Sequence, residues 1–279
     1  MDLLDRTPPK ADYRISYGTD ALQFGELWIP KGIPAATRTP APVLVMVHGG
    51  WWQAAYDLSY CGFLCEALKA LGIAVWSLEY RRVGNAGGGW PGTMQDVAAG
   101  FDFLSILAKS YPIDLQRVAA AGHSAGGQLA FWLAGRHHVP PESPLYAPQP
   151  KIALRGLVGL AGAVDLRLTI ELSGAYEFTS GGPCAIALMG GMPEQVPERY
   201  AAADPGELLP LGVPQTLVQG TEDDQIPPAL PNRYADKARR QGDTVAVHIV
   251  RGADHFDVVD PESAVWPVSR DALLHALRG

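Results

Sequence analysis

The sequence predicts a single α/β domain, a mostly parallel central sheet with helices packed on both faces. Three observations carry that expectation. Short apolar runs alternate with helical periodicities along most of the chain, the pattern of strands joined by crossover helices. Residues 43–47 are apolar at every position, as a strand covered on both faces must be. The chain has 279 residues, 47% of them hydrophobic and 18% charged, enough to enclose one large core.

The elements follow in order. Residues 14–30 read as two short strands around a turn at Gly18-Thr19-Asp20, with Leu22, Phe24, Glu26 and Trp28 on one face. A Pro/Ala/Thr-rich connection, 31–42, leads to the buried strand 43–47, which ends in His48-Gly49-Gly50. Residues 58–71 are helical, with Cys61, Leu64, Leu68 and Leu71 at helical spacing and Gly72 as the stop. A strand at 73–78 precedes a helix at 96–107, whose apolar stripe is Val97, Phe101, Leu104 and Leu107. Further strands are expected at 118–121, 157–160, 216–219 and 245–250, and further helices at 127–135, 230–240 and 263–277. Residues 166–211 break the alternation with Gly181-Gly182-Pro183, Gly190-Gly191 and several more prolines. They read as a small cap or excursion within one domain, 1–279, and not as a second domain.

Composition narrows the partners. A net charge of −7 and a pI of about 5.5 repel phosphate backbones and anionic lipid, so neither nucleic acid nor a membrane surface is expected. The start of the chain carries Asp2 and Asp5 and no apolar run, unlike a secretory leader, and no stretch of about 18 apolar residues would span a bilayer. Cys61, Cys65 and Cys184 are odd in number, and the first two lie four apart without a histidine to complete a zinc site. Reduced thiols, a cytoplasmic location and no metal or organic cofactor are the expectation. A homodimer is compatible with the sequence.

Chemistry concentrates in four segments. Gly122-His123-Ser124-Ala125-Gly126 fits G-x-S-x-G between a strand and a helix, where small neighbours let a serine project from a sharp turn. The helix that follows points its positive end at the reacting centre. His48-Gly49-Gly50-Trp51-Trp52 follows the first buried strand. In an HGG-type arrangement Gly50 and Trp51 offer two backbone N–H groups, and Ala125 a third, to a developing oxyanion. His48 is read as a brace for that loop. A serine needs a base, and His255, in Gly252-Ala253-Asp254-His255-Phe256-Asp257 just past the last strand, is better placed than His137, His138, His248 or His275. The base needs an orienting acid. Asp223 in Gly220-Thr221-Glu222-Asp223-Asp224-Gln225-Ile226-Pro227 is chosen, with Glu222, Asp224 and the more distant Asp165 as rivals. Trp52, Tyr56, Trp90 and Phe256 are candidate pocket walls.

From about Val43 onward, HGGWW, GHSAGG, GTEDDQIP and ADHFD occur in the order typical of the α/β-hydrolase superfamily, which the chain resembles. Within it the chain is similar to the esterase/lipase branch and to bacterial prolyl-oligopeptidase-like hydrolases. The HGG-aromatic-Trp loop also resembles that of kynurenine formamidases. In the G-x-x-D-x-x-V-P register of such relatives Asp223 takes the acid position, which is why it is preferred over Asp224. Trp51 stands where HGGG esterases have a third glycine, only 47 residues precede His48, and the chain is too short for a propeller domain. The resemblance implies a serine hydrolase acting on small carboxylic esters through an acyl-enzyme, with a small-molecule ester or amide as its partner. An arylformamidase is the alternative, and a non-catalytic ligand-binding relative the third reading.

Overall fold

The computed structural model describes residues 3–30, 40–147, 152–175 and 181–278. Of the expected 31–42 connection, 31–39 lie outside the described residues. The strands are β1 (Tyr13–Ser16), β2 (Phe24–Trp28), β3 (Ala41–Val47), β4 (Ala74–Leu78), β5 (Ile113–His123), β6 (Leu157–Leu160), β7 (Gln215–Gly220) and β8 (Val245–Val250). Among the described residues they form one eight-stranded sheet, ordered β1-β2-β4-β3-β5-β6-β7-β8. β2 pairs antiparallel with both its neighbours and every other pairing is parallel, so β2 alone is reversed. This is the α/β-hydrolase fold.

Pleat alternation sorts the strand side chains into two apolar layers. Val43, Val45, Val47, Trp76, Leu78, Val118 and Ala120 face one layer. Leu44, Met46, Val75, Ala119, Ala121 and Val158 face the other. Helix α1 (Gly62–Ala70) covers the second layer through Leu64, Cys65 and Leu68. The first is covered by α2 (Gly92–Asp102), α3 (Leu104–Leu107) and α4 (Ala125–Gly135). The excursion contributes α5 (Leu166–Ala175), α6 (Gly181–Met189) and α7 (Pro197–Ala203) to this same side. Helix α8 (Ala229–Arg240) adds Leu230, Tyr234 and Ala238 there, while α9 (Trp266–Ala276) closes the second layer with Leu273 and Ala276. Trp76 is fully buried and its indole N–H donates to Gly100 O at 2.9 Å. A ring of that size removes roughly 200 Å² from water, an upper figure of about 5 kcal/mol.

Three differences from the sequence reading have local causes. Leu27 as well as Trp28 is fully buried, because layers lie on both faces of β2. β5 begins at Ile113, five residues before the expected 118, because Ala41 and Pro42 pair with Ile113 and Asp114 before a register shift. Helix α2 begins at Gly92, four residues before the expected 96, on Pro91. Cys61 and Cys65 are buried and unbridged. Among the described residues no helix is long and apolar enough to cross a membrane.

Candidate active site

β5 ends at His123 and α4 begins at Ala125, so Ser124 alone turns the chain. Its φ of 53° and ψ of −125° lie where non-glycine residues are rare and cost about 1–3 kcal/mol. The flanking glycines are a steric requirement. A Cβ on Gly122 would lie 2.0 Å from Gly126 O, and one on Gly126 would lie 2.1 Å from Val47 O. The Ser124 N–H donates to Leu160 O at 3.0 Å, and its C=O accepts from Gly127 and Ala163 at 2.9 Å. Thus β6 and the following loop hold the turn. The Ser124 side chain borders a cavity of about 170 Å³ at the C-terminal ends of the parallel strands.

The loop after β3 forms another side of the cavity. Gly50, Trp51 and Trp52 have consecutive φ values of 104°, 51° and 56°, an uncommon left-handed run. Partners on three sides stabilise it. Val83 N–H donates to Trp52 O at 2.9 Å, the Trp52 indole donates to Gln128 Oε1 at 3.1 Å, and the Trp51 indole donates to Gln225 Oε1 at 3.1 Å. The N–H groups of Gly50, Trp51 and Ala125 donate no hydrogen bond among the described residues. For Ala125 the reason is general, since a first-turn N–H has no intrahelical acceptor. His48 lies fully buried beneath the loop, stacked on Tyr80 at 4.5 Å and 3.1 Å from Glu79 Oε1. Burial pushes the Glu79 carboxyl up, but His48, Arg82 and the Tyr80 N–H outweigh it and hold it below the usual range.

His255 follows β8 on a turn made by its neighbours. Asp254 Oδ1 accepts from Phe256 and Asp257 N–H at 2.8 and 2.9 Å, so Asp254 serves the turn. His255 Nδ1 lies 2.9 Å from Asp223 Oδ2, and both residues are buried. Asp223 also accepts from Gln219 Nε2 at 2.7 Å and from the Gln225 and Ile226 N–H groups at 2.8 Å. Burial raises the Asp223 carboxyl, yet His255 and these N–H groups together bring it below its ordinary value. An ionised carboxylate only accepts, so the proton sits on His255 Nδ1 and the Nε2 lone pair is left for the cavity. Ser124 and His255 both line that cavity, although no hydrogen bond joins their side chains among the described residues.

A second histidine ties the three loops together. His123 Nε2 lies 3.0 Å from His255 O, a pure acceptor, so Nε2 carries the proton. Its Nδ1 therefore accepts from the Tyr60 hydroxyl at 2.7 Å, and that oxygen accepts from the Gly49 N–H at 2.7 Å. Burial first, and then the nearby His255, push the His123 pKa down to about 3. The ring stays neutral, which matters because its centroid is 4.7 Å from that of His255.

The structure thus brings Ser124, Asp223, His255, Gly50, Trp51, Ala125, Tyr56 and Phe256 to one region. Two expected pocket walls lie elsewhere. Trp52 is fully buried against Gln128, and Trp90 packs on the core beside Leu188, whose carbonyl accepts its backbone N–H. The rival acids are also apart: Glu222 and Asp224 are exposed, and Asp165 caps α5 and binds Lys237 Nζ at 3.0 Å. His137 and His138 follow α4, His248 lies on β8 and His275 in α9. Sequence reasoning missed Tyr60, His123, Gln225 and Leu4 as cavity residues. His123 and Gln225 had a signal, their places inside G-x-S-x-G and inside the acid-bearing segment 220–227. No described residue of 166–211 lines the cavity, and Gly181 packs against the Trp51 ring behind it. Among the described residues no group of three or more His, Cys, Asp or Glu is placed to hold a metal.

Comparison with known proteins bears on this site. The BD-FAE family model matches residues 32–237. Esterase LipC of Mycobacterium tuberculosis is 26% identical over 253 residues, covering 88% of this chain and 60% of its own length. Kynurenine formamidase of Drosophila melanogaster is also 26% identical over 253 residues, with 88% and 77% covered. Several other curated relatives are spanned for only 50–58% of their length. An inhibited esterase B from Lactobacillus rhamnosis superposes with a TM-score of 0.77 at 20% identity, over 99% of this chain and 88% of that one.

Proposed function

The chain belongs to the BD-FAE family, and from that premise we propose that it hydrolyses small carboxylic esters by two-step acyl transfer. One observation carries the reading: a serine on a strained strand-to-helix turn shares a 170 Å³ cavity with a histidine whose far nitrogen is held by a buried carboxylate.

In this mechanism His255 Nε2 takes the Ser124 proton as Oγ adds to the ester carbonyl carbon. The carbonyl oxygen becomes an oxyanion and receives N–H groups of Gly50, Trp51 and Ala125, each such donor being worth about 10²–10³ in rate. Collapse breaks the C–O bond to the leaving alcohol, which takes the proton from His255. Water then attacks the acyl-enzyme by the same route and releases the acid. Asp223 fixes the imidazole tautomer and balances its positive charge in both halves. No step calls for a cofactor. The names of LipC and esterase B support an ester substrate, and a cavity below the roughly 300–1,000 Å³ of drug-sized sites supports a short one.

A second reading, hydrolysis of an aromatic formamide, is favoured by the kynurenine formamidase relative and by the Trp51, Tyr56, Tyr60 and Phe256 rings around the cavity. A substrate panel separates the two. Turnover of p-nitrophenyl acetate with kcat/KM at least 100-fold above that for N-formylkynurenine is expected; the reverse order would replace the ester reading with the formamide one. Cytoplasmic residence and a homodimeric state belong to the same proposal. Sedimentation and fractionation of the native protein test them.

A further inference from the structure

The cavity has a wall that neither the motif segments nor the 166–211 excursion supplies. Leu4, in the short turn Leu3–Asp5, lines it together with residues of the catalytic loops. Leu4 also lines a second hollow of about 190 Å³, which shares Tyr56 and Tyr60 with the first. The second hollow is more polar, being bordered by Arg6, Asp57 and Ser59. Leu4, half exposed, thus borders both spaces, as Tyr56 and Tyr60 do.

This turn is fastened down. Leu3 is buried in the apolar layer under α1. Arg6 lies over the Phe63 ring at 4.3 Å and reaches Asp260 at 2.7 Å and Glu262 at 2.6 Å. Asp260 and Glu262 follow His255 by five and seven residues. The strap is thus bolted to the same segment that presents the base, and Leu4 keeps its position relative to Ser124.

We propose that Leu4 is a specificity-determining residue: held by the Arg6 bolt, it restricts the site to short apolar chains and closes off the second hollow as an extension of it. This rests on the ester-hydrolase reading and adds the size limit of its substrate. On this proposal, trimming the Leu4 side chain widens the first space towards the second, and each methylene then sheltered is worth about fourfold in binding.

The test is kcat/KM for p-nitrophenyl acetate, butyrate and octanoate. The wild type is expected to favour the two shorter esters. Leu4→Ala should raise the octanoate-to-acetate ratio at least tenfold, and Arg6→Ala, which loosens the strap, should move it the same way. Leu4→Trp should lower the butyrate-to-acetate ratio at least tenfold. Because Leu4 is half exposed, its variants should unfold within a few degrees of the wild type, so the ratios report shape and not folding. Ratios within twofold of the wild type in all three variants would overturn this inference while leaving ester hydrolysis standing. A wild type inert to all three esters would overturn the reading beneath it, and the inference with it.

Discussion

Asp223→Asn tests the orienting acid with almost no change of shape. Four donors converge on the carboxylate. The Gln225 and Ile226 N–H groups meet Oδ1 at 2.8 Å, and Gln219 Nε2 and His255 Nδ1 meet Oδ2 at 2.7 and 2.9 Å. An asparagine must place its NH₂ against one of these pairs. The two backbone donors cannot change sign, so the amide oxygen takes the Oδ1 side and the NH₂ faces Gln219 and His255. His255 then has to offer a lone pair at Nδ1, which moves its proton to Nε2. An imidazole protonated there cannot accept the Ser124 proton. The expected loss in kcat is roughly 10⁴-fold, about 5 kcal/mol of barrier, the size seen when a triad histidine is trapped in the wrong tautomer. Steady-state kinetics on p-nitrophenyl acetate measure it. Asp224→Asn, at an exposed neighbour, should stay within twofold of the wild type. A loss below tenfold for Asp223→Asn, or an equal loss for Asp224→Asn, would refute the assignment.

Two further outcomes follow from the same geometry. Tyr60→Phe strips a donor from His123 Nδ1 and an acceptor from the Gly49 N–H; each buried group left unpaired costs about 1–3 kcal/mol. We expect kcat to fall roughly tenfold with KM within threefold, because the ring that lines the cavity is kept while the base and oxyanion loops lose their tie. A KM rise with unchanged kcat would contradict that role. On acidification, Asp223 and Glu79 both titrate lower in the folded protein than in the unfolded chain. The unfolded state then binds protons first, so their stabilisation is complete above the ordinary carboxylate pKa of about 4 and is lost as pH falls through the folded values. His123, held at about 3 against an ordinary histidine value of about 6.5, adds a loss that begins below pH 6.5, and Asp204, raised by burial to about 8, offsets it down to about pH 4, so urea midpoints should drop most steeply below pH 4. A midpoint unchanged at pH 3 would count against it.

What was readable in the sequence is what the backbone must do locally. Leu157–Leu160 lies where its apolar run puts it, because a strand buried on both faces leaves a continuous signal, and Val245–Val250, an edge strand, lies where its β-branched residues put it. Ser124 could be picked out because its turn excludes a Cβ at Gly122 and Gly126, so the steric demand is written as glycine. His255 and Asp223 were picked by their places after parallel strands, where the topology gathers loops. The cavity walls were not legible. Trp52 and Trp90 looked like pocket residues from their neighbours in sequence, but the Trp52 indole is tied to Gln128 and Trp90 packs on the core, its backbone held by Leu188, and both partners lie far along the chain. Tyr60 and Leu4 reach the site only through tertiary packing, and no periodicity marks them, while Gln225 shares the acid's loop without a sign that its side chain would meet Trp51. His123 carried a motif position but no hint that its partners would be Tyr60 and the His255 carbonyl.

The central claim is that Ser124 is the nucleophile of this cavity. Intact-mass and peptide mapping after exposure to a fluorophosphonate probe tests it most directly. The account predicts one adduct per chain, on Ser124, absent from Ser124→Ala and formed far more slowly by Asp223→Asn. An adduct on any other residue, or labelling that persists in Ser124→Ala, would contradict it.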